Sequence, residues 1–80
     1  MMDVGETISV IASFSQSYRI KPLRFRWSGR LFEVREITYV WKSSEGQNEL
    51  YHFSVSDGRS LYELTFESKS LLWRLEKLEA

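Results

Sequence analysis

Leu23-Arg24-Phe25-Arg26-Trp27-Ser28-Gly29-Arg30-Leu31-Phe32-Glu33-Val34 reads as a complete hairpin whose apolar and charged faces separate cleanly. Ser28-Gly29 sits between two alternating runs, and a two-residue loop containing Gly suits the primed turns that match strand twist. Opposed across that turn, Phe25 meets Phe32, Leu23 meets Val34 and Trp27 meets Arg30 on one face. Arg24 and Glu33 meet on the other. An aromatic pair inside and an opposite-charge pair outside is what a half-buried antiparallel ribbon needs, and a slip of one residue would invert both faces.

Upstream, residues 1–5 read as a frayed start. Ile8, Val10, Ala12 and Phe14 then share one face of a first strand, with Ile11 opposite. Ser13 to Ser17 has turn-like composition, Tyr18 to Lys21 resumes the alternation, and Pro22 belongs at an edge, a strand start or a bulge. Downstream, Phe32 and Val34 are inward at even positions, whereas Ile37, Tyr39 and Trp41 are apolar at odd ones. Either a bulge at Arg35-Glu36 restores the parity, or the strand ends and restarts there. Lys42 to Asn48 reads as a polar loop, which aligns Tyr39 with Tyr51.

Asp57-Gly58 is a second hairpin signal, predicting Phe53 opposite Tyr62, Tyr51 opposite Leu64 and His52 opposite Glu63. Leu71, Leu75 and Leu78 fit helical spacing, but Leu71, Trp73 and Leu75 fit a strand. The strand is preferred, because a loop at Glu67 to Ser70 then places Leu64 against Trp73 inside and Glu63 against Arg74 outside. The expected fold is therefore all-β: one domain over residues 1–80, an antiparallel meander of about six strands curled into an SH3-like or partly open barrel. In this register Val40, Leu50, Thr65 and Leu72 form a mostly apolar outer row.

Eighty residues bury only about 60 to 65% of the unfolded surface, so there is room for one core. The chain has no cysteine, which suits a reducing cytoplasm and removes disulfides and thiolate metal ligands. No apolar run approaches the roughly 18 residues of a membrane span, and Ile8 to Ala12 is too short for a signal peptide. A soluble cytoplasmic protein is expected.

The pattern Phe25-x-Trp27-x-Gly29-Arg30-x-Phe32-x-Val34, with Trp41, Tyr62-Glu63-Leu64 and Trp73-x-Leu75 further on, resembles a family of small bacterial domains of unknown function. The resemblance runs from about Pro22 onward. Some members are encoded beside translesion polymerase or other DNA-repair genes, which implies no particular activity. This chain departs from the family pattern at Ser28, at Tyr51-His52-Phe53 and at Leu78-Glu79-Ala80.

Catalysis has little to build on: one histidine, no cysteine, dispersed carboxylates, and neither a phosphate-binding glycine loop nor metal-ligand spacing. His52 reads as a paired surface residue. The expectation is a non-catalytic binding module with no cofactor and no metal. Eleven basic residues balance eleven acidic ones, so any nucleic-acid contact must be local. Such a patch exists in the sequence: Arg19, Lys21, Arg24, Arg26, Arg30 and Arg35, interleaved with Tyr18, Phe25, Trp27 and Phe32, have the composition of a single-stranded nucleic-acid surface, with Trp27 as its exposed aromatic. The alternative is a protein-interaction or homodimerisation module using an edge strand or the outer row Val40, Leu50 and Leu72.

Overall fold

The computed structural model describes residues 2–16 and 19–80; Ser17 and Tyr18, named above, lie outside the described residues. Seven strands form: β1 (Met2–Ser15), β2 (Arg19–Trp27), β3 (Arg30–Glu33), β4 (Glu36–Glu45), β5 (Asn48–Ser56), β6 (Leu61–Glu67) and β7 (Leu72–Glu79). They make one antiparallel sheet in the order β3-β2-β1-β7-β6-β5-β4. The fold is all-β, with seven strands rather than six. Among the described residues no helix is long and apolar enough to cross a membrane.

The β2–β3 hairpin has the register read from its turn: Phe25 pairs with Phe32, Trp27 with Arg30 and Arg24 with Glu33. Ser28 and Gly29 both have positive φ, 54° and 75°, as a type I′ turn requires. Pro22 lies at a bulge opposite Ile11-Ala12, which lets both Pro22 and Phe25 point inward and be buried.

β1 is longer than the sequence pattern suggests. Residues 2–5 are not frayed, because Met2 to Ile8 pair with β7 while Ser9 to Ser15 pair with β2. One strand thus joins two meanders, β1-β2-β3 and β4-β5-β6-β7. Gly5, at φ 67°, sits where the β1–β7 register shifts, and the Arg74 guanidinium donates to its carbonyl at 2.7 Å.

The sheet curls so that its inner face packs against itself. Phe25 stacks on Phe32 with centroids 5.2 Å apart and meets the Tyr62 ring edge-on at 5.1 Å. Phe14 of β1 reaches Phe66 of β6 at 6.3 Å. Phe53, Val55, Leu64 and Leu75 are sealed beneath these contacts, and Trp73 lies between Phe53 and Phe66. Phe25 and Tyr62 belong to strands three places apart in the sheet order, so their contact requires the curl.

In the second meander the inward parity holds but the registers move. Phe53 pairs with Leu64, Tyr51 with Phe66 and Val55 with Tyr62, two residues from the expected partners. The cause is the Asp57 side chain. Its Oδ1 accepts from the amides of Arg59 and Ser60, each at 2.8 Å, fixing a four-residue loop, 57–60, in place of a two-residue turn. The C-terminal segment is the expected strand, again shifted: Leu64 pairs with Leu75 and Phe66 with Trp73. Leu71 belongs to its turn, exposed and at φ 62°.

β4 departs most from expectation. The chain leaves the sheet at Val34-Arg35 and restarts, so the parity change is a break, and a bulge follows at Thr38 between the Ile37–Val55 and Tyr39–Ser54 pairs. That bulge turns Tyr39 and Trp41 outward and Val40 inward, correcting the core placement of Trp41. Lys42 to Glu45 are strand rather than loop, and the turn is only Gly46-Gln47. With Gly46 at φ 62° and no positive φ at Gln47, the turn is of type II′. The expected row of Val40, Leu50 and Leu72 does not exist: Val40 pairs with core Phe53, while Leu50 and Leu72 flank Glu67 on the other face.

The sheet does not close into a barrel. β3 and β4, joined by two residues, are its opposite edges. β3 stops after four residues, so it covers β2 only from Arg24 to Trp27.

Candidate functional site

Because β3 is short and β4 turns away to pair with β5, a seam opens between the first half of β2 and the free edge of β4. Among the described residues no Cα atom of β2 lies within 8 Å of one in β4. Paired strands stand ~4.8 Å apart, so the two edges are too far apart to pair with each other directly. The seam holds a groove of about 400 Å³ lined by Arg19, Ile20, Val40, Trp41, Lys42, Tyr51 and Phe53.

Local geometry places each of these groups. The two-residue turn at Gly46-Gln47 makes Glu45 and Asn48 a hydrogen-bonded pair, and the alternation of an antiparallel ladder then aims the backbone groups of Ser43 and Trp41 at β5. The N–H and C=O groups of Val40, Lys42 and Ser44 consequently face the seam. Val40 and Lys42 point their side chains inward, opposite Phe53 and Tyr51. Tyr39, at 65% exposure, and Val40, at 51%, are large apolar groups left open on an edge strand. The rim is cationic. Lys42 Nζ lies 5.6 Å from the Tyr51 ring centroid and 3.2 Å from Glu49 in an exposed ion pair, and the exposed Arg19 side chain makes no hydrogen bond or ion pair among the described residues.

The basic residues singled out from the sequence are spread over several places. Arg24 and Arg26 stand on the outer face of β2 beside Ser9, Ile11 and Leu31, with Glu33 across from Arg24. Lys21, opposite Ser13, shares that face. Arg19 is at the seam. Arg30 lies over the Phe32 ring at 5.6 Å, and Arg35 packs over Gly58 near the 57–60 loop. Of the interleaved aromatics that are described, none joins them: Phe25 is buried and stacked on Phe32, while Trp27 is half-buried against Phe32 with its indole N–H buried and without a partner among the described residues.

The outward aromatics are elsewhere. Tyr39 tilts against Trp41 at 5.3 Å, and Trp41 stacks on His52 at 4.9 Å with the planes 6° apart. His52 Nε2 is 2.7 Å from Ser43 Oγ, and Nδ1 is 3.4 Å from Thr65 Oγ1, which replaces the expected neighbours Thr38 and Glu63. A serine beside a histidine invites comparison with an activated nucleophile. Here the pair lies on an exposed sheet face with Thr65 as the third group. Among the described residues no carboxylate is hydrogen-bonded to the ring, as a catalytic triad would require. Among the described residues no cluster of three His, Cys, Asp or Glu is placed to hold a metal ion.

The strongest polar constellation is structural. Tyr62 donates its hydroxyl to Asp57 Oδ2 at 2.7 Å. Burial, and then this carboxylate beside it, push the Tyr62 phenol up to about 12. Burial alone would raise the Asp57 carboxyl, but the Ser60 and Arg59 amides and the Tyr62 hydroxyl together outweigh it and hold Asp57 below its ordinary value.

Of the groove residues, Arg19 and Val40 were singled out in the sequence. Ile20, Trp41, Lys42, Tyr51 and Phe53 were not named there as site residues. Gly46-Gln47 was the available signal: as a two-residue turn it extends β4 through Lys42 and fixes which backbone groups face outward. Compared with family models, with curated proteins and with solved structures, the chain matches none.

Proposed function

We propose that this chain is a non-catalytic protein-interaction module that accepts an extended segment of a partner as an added strand along β4, within the seam. The observation that carries the reading is a ten-residue edge strand, β4, whose outward backbone groups face a groove of about 400 Å³ floored by Tyr51 and Phe53. Long edges are usually blunted by Pro, charge or a covering loop. In β4 the bulge lies at Thr38, leaving Val40 to Ser44 regular and open. Main-chain hydrogen bonds supply affinity in such an arrangement, and alternate side chains supply selectivity.

The competing reading is a single-stranded nucleic-acid surface on Arg24 and Arg26. It requires phosphate contacts beside stacking rings, whereas the cross-strand neighbours of those arginines are Ser9, Ile11, Leu31 and Glu33. Oligonucleotide titration at low and physiological salt is expected to show no salt-dependent affinity that Arg24→Glu with Arg26→Glu removes.

For the strand-addition reading, the informative substitution is Val40→Pro. Its N–H faces outward, so proline removes a donor from the seam without breaking the β4–β5 ladder, and the fold is expected to persist. With a photoreactive residue at position 39, irradiation in cell extract is expected to give discrete adducts that Val40→Pro abolishes. Adducts that survive Val40→Pro would contradict strand addition.

A further inference from the structure

Resting on the strand-addition reading, we infer that the seam selects an acidic partner segment, in which an apolar residue and an Asp or Glu stand two positions apart on the inward side. A strand laid beside β4 presents alternate side chains to the groove, and these meet Val40 and Lys42 in turn. Val40, Ile20 and Phe53 make the first position apolar. The second is marked by Lys42 on β4, in a groove that Arg19 of β2 also lines, so both cations of the groove favour an acid there.

Arg19 makes this site more than a hydrophobic slot. It lines the groove, is exposed, and spends none of its five donors on an ion pair or hydrogen bond among the described residues. Glu49 offsets only Lys42, through a half-exposed contact of 3.2 Å that a better-placed carboxylate displaces at little cost. The intervening partner residue faces outward beside the exposed Tyr39 ring and the half-buried Trp41, which favour an aromatic or β-branched side chain there. The recognised triplet is therefore apolar, then aromatic or β-branched, then acidic, in the order set by strand direction. A basic or phosphate-rich ligand is disfavoured for different reasons: the first meets the cationic rim, and the second offers no strand backbone to β4.

A random decapeptide library displayed on phage tests this, panned separately on the wild-type protein and on Arg19→Glu. Arg19 is exposed, so the variant is expected to fold. Wild-type protein should enrich peptides with the triplet, which bind the variant at least about tenfold more weakly, a loss in the range expected for one reversed rim charge. The variant should enrich Lys or Arg in place of the acid. Enriched peptides that protect the Val40, Lys42 and Ser44 amides from hydrogen exchange but show no acidic preference would overturn this inference and leave strand addition standing. Peptides that leave those amides unprotected, or no enrichment on either protein, would overturn both. Displacement of the peptides by a thymidine oligonucleotide would assign the seam to nucleic acid instead.

Discussion

Phe25→Ala is expected to lower the folding stability by about 3 to 5 kcal/mol. Phe25 is 1% exposed and is the ring through which the β2–β3 ribbon grips the second meander, stacked on Phe32 and edge-on to Tyr62. Truncating a buried Phe costs about 3 to 5 kcal/mol, because the transfer energy is lost and the cavity collapses only in part. A chain of this length has a total stability of about 4 to 12 kcal/mol, so the substitution removes a large share of it. Urea denaturation followed by tryptophan fluorescence would measure the effect. Leu72→Lys serves as the contrast: Leu72 is half exposed on the outer face beside Glu67, and its change is expected to stay within about 0.5 kcal/mol of wild type. A small loss in Phe25→Ala would mean that the two meanders do not depend on each other across the curl.

Asp57→Ala is expected to be the most damaging change outside the apolar core, at about 2 to 3 kcal/mol, since hydrogen bonds to a charged group are worth more than neutral ones and the Tyr62 hydroxyl is left buried without its acceptor. Asp57→Asn keeps an acceptor for the Arg59 and Ser60 amides and should lose less. The two groups also set opposite pH limits. The Asp57 carboxyl is held below its ordinary 3.8, so its contribution is complete above that value and is lost as pH falls through the lower folded value. The Tyr62 phenol is raised from 10.0 to about 12, so its contribution is complete below pH 10 and is lost as pH rises toward 12. Denaturation midpoints of wild type and Asp57→Asn across pH 9 to 12 should converge as Tyr62 ionises; parallel curves would show that Asp57 does not hold the phenol.

The parts of the fold legible in the sequence were those fixed by local chemistry. Ser28-Gly29 admits one turn type, and the flanking alternation leaves one register, so every β2–β3 pair followed from twelve residues. In the second meander the inward parity of Tyr51, Phe53, Val55, Tyr62 and Leu64 was equally legible, because burial on one face imposes it. The register was not, since a loop of two residues and a loop of four preserve the same parity, and the choice rests on hydrogen bonds from the Asp57 carboxylate. The Thr38 bulge was hidden for a related reason: Ile37, Tyr39 and Trp41 alternate as a core strand would, and nothing local marks where the outward turn begins.

The seam itself could not be read from the chain. It exists because β3 ends after four residues and Val34-Arg35 redirects β4 toward β5, while β1 joins the two meanders at the far side of the sheet. Each is a long-range pairing choice with no local signature. The cations were visible as residues, but only the curl sets Arg19 and Lys42 around one groove, with Arg24 and Arg26 on the outer face of β2.

Backbone amide hydrogen exchange along β4, measured on the free protein at low concentration, tests the open seam most directly. The amides of Trp41, Ser43 and Glu45, directed at β5, are expected to be protected, and those of Val40, Lys42 and Ser44 to exchange near the rate of an unstructured chain. Equal protection along the whole strand in a monomer would show the edge already covered, and would contradict the seam as a site for an added strand.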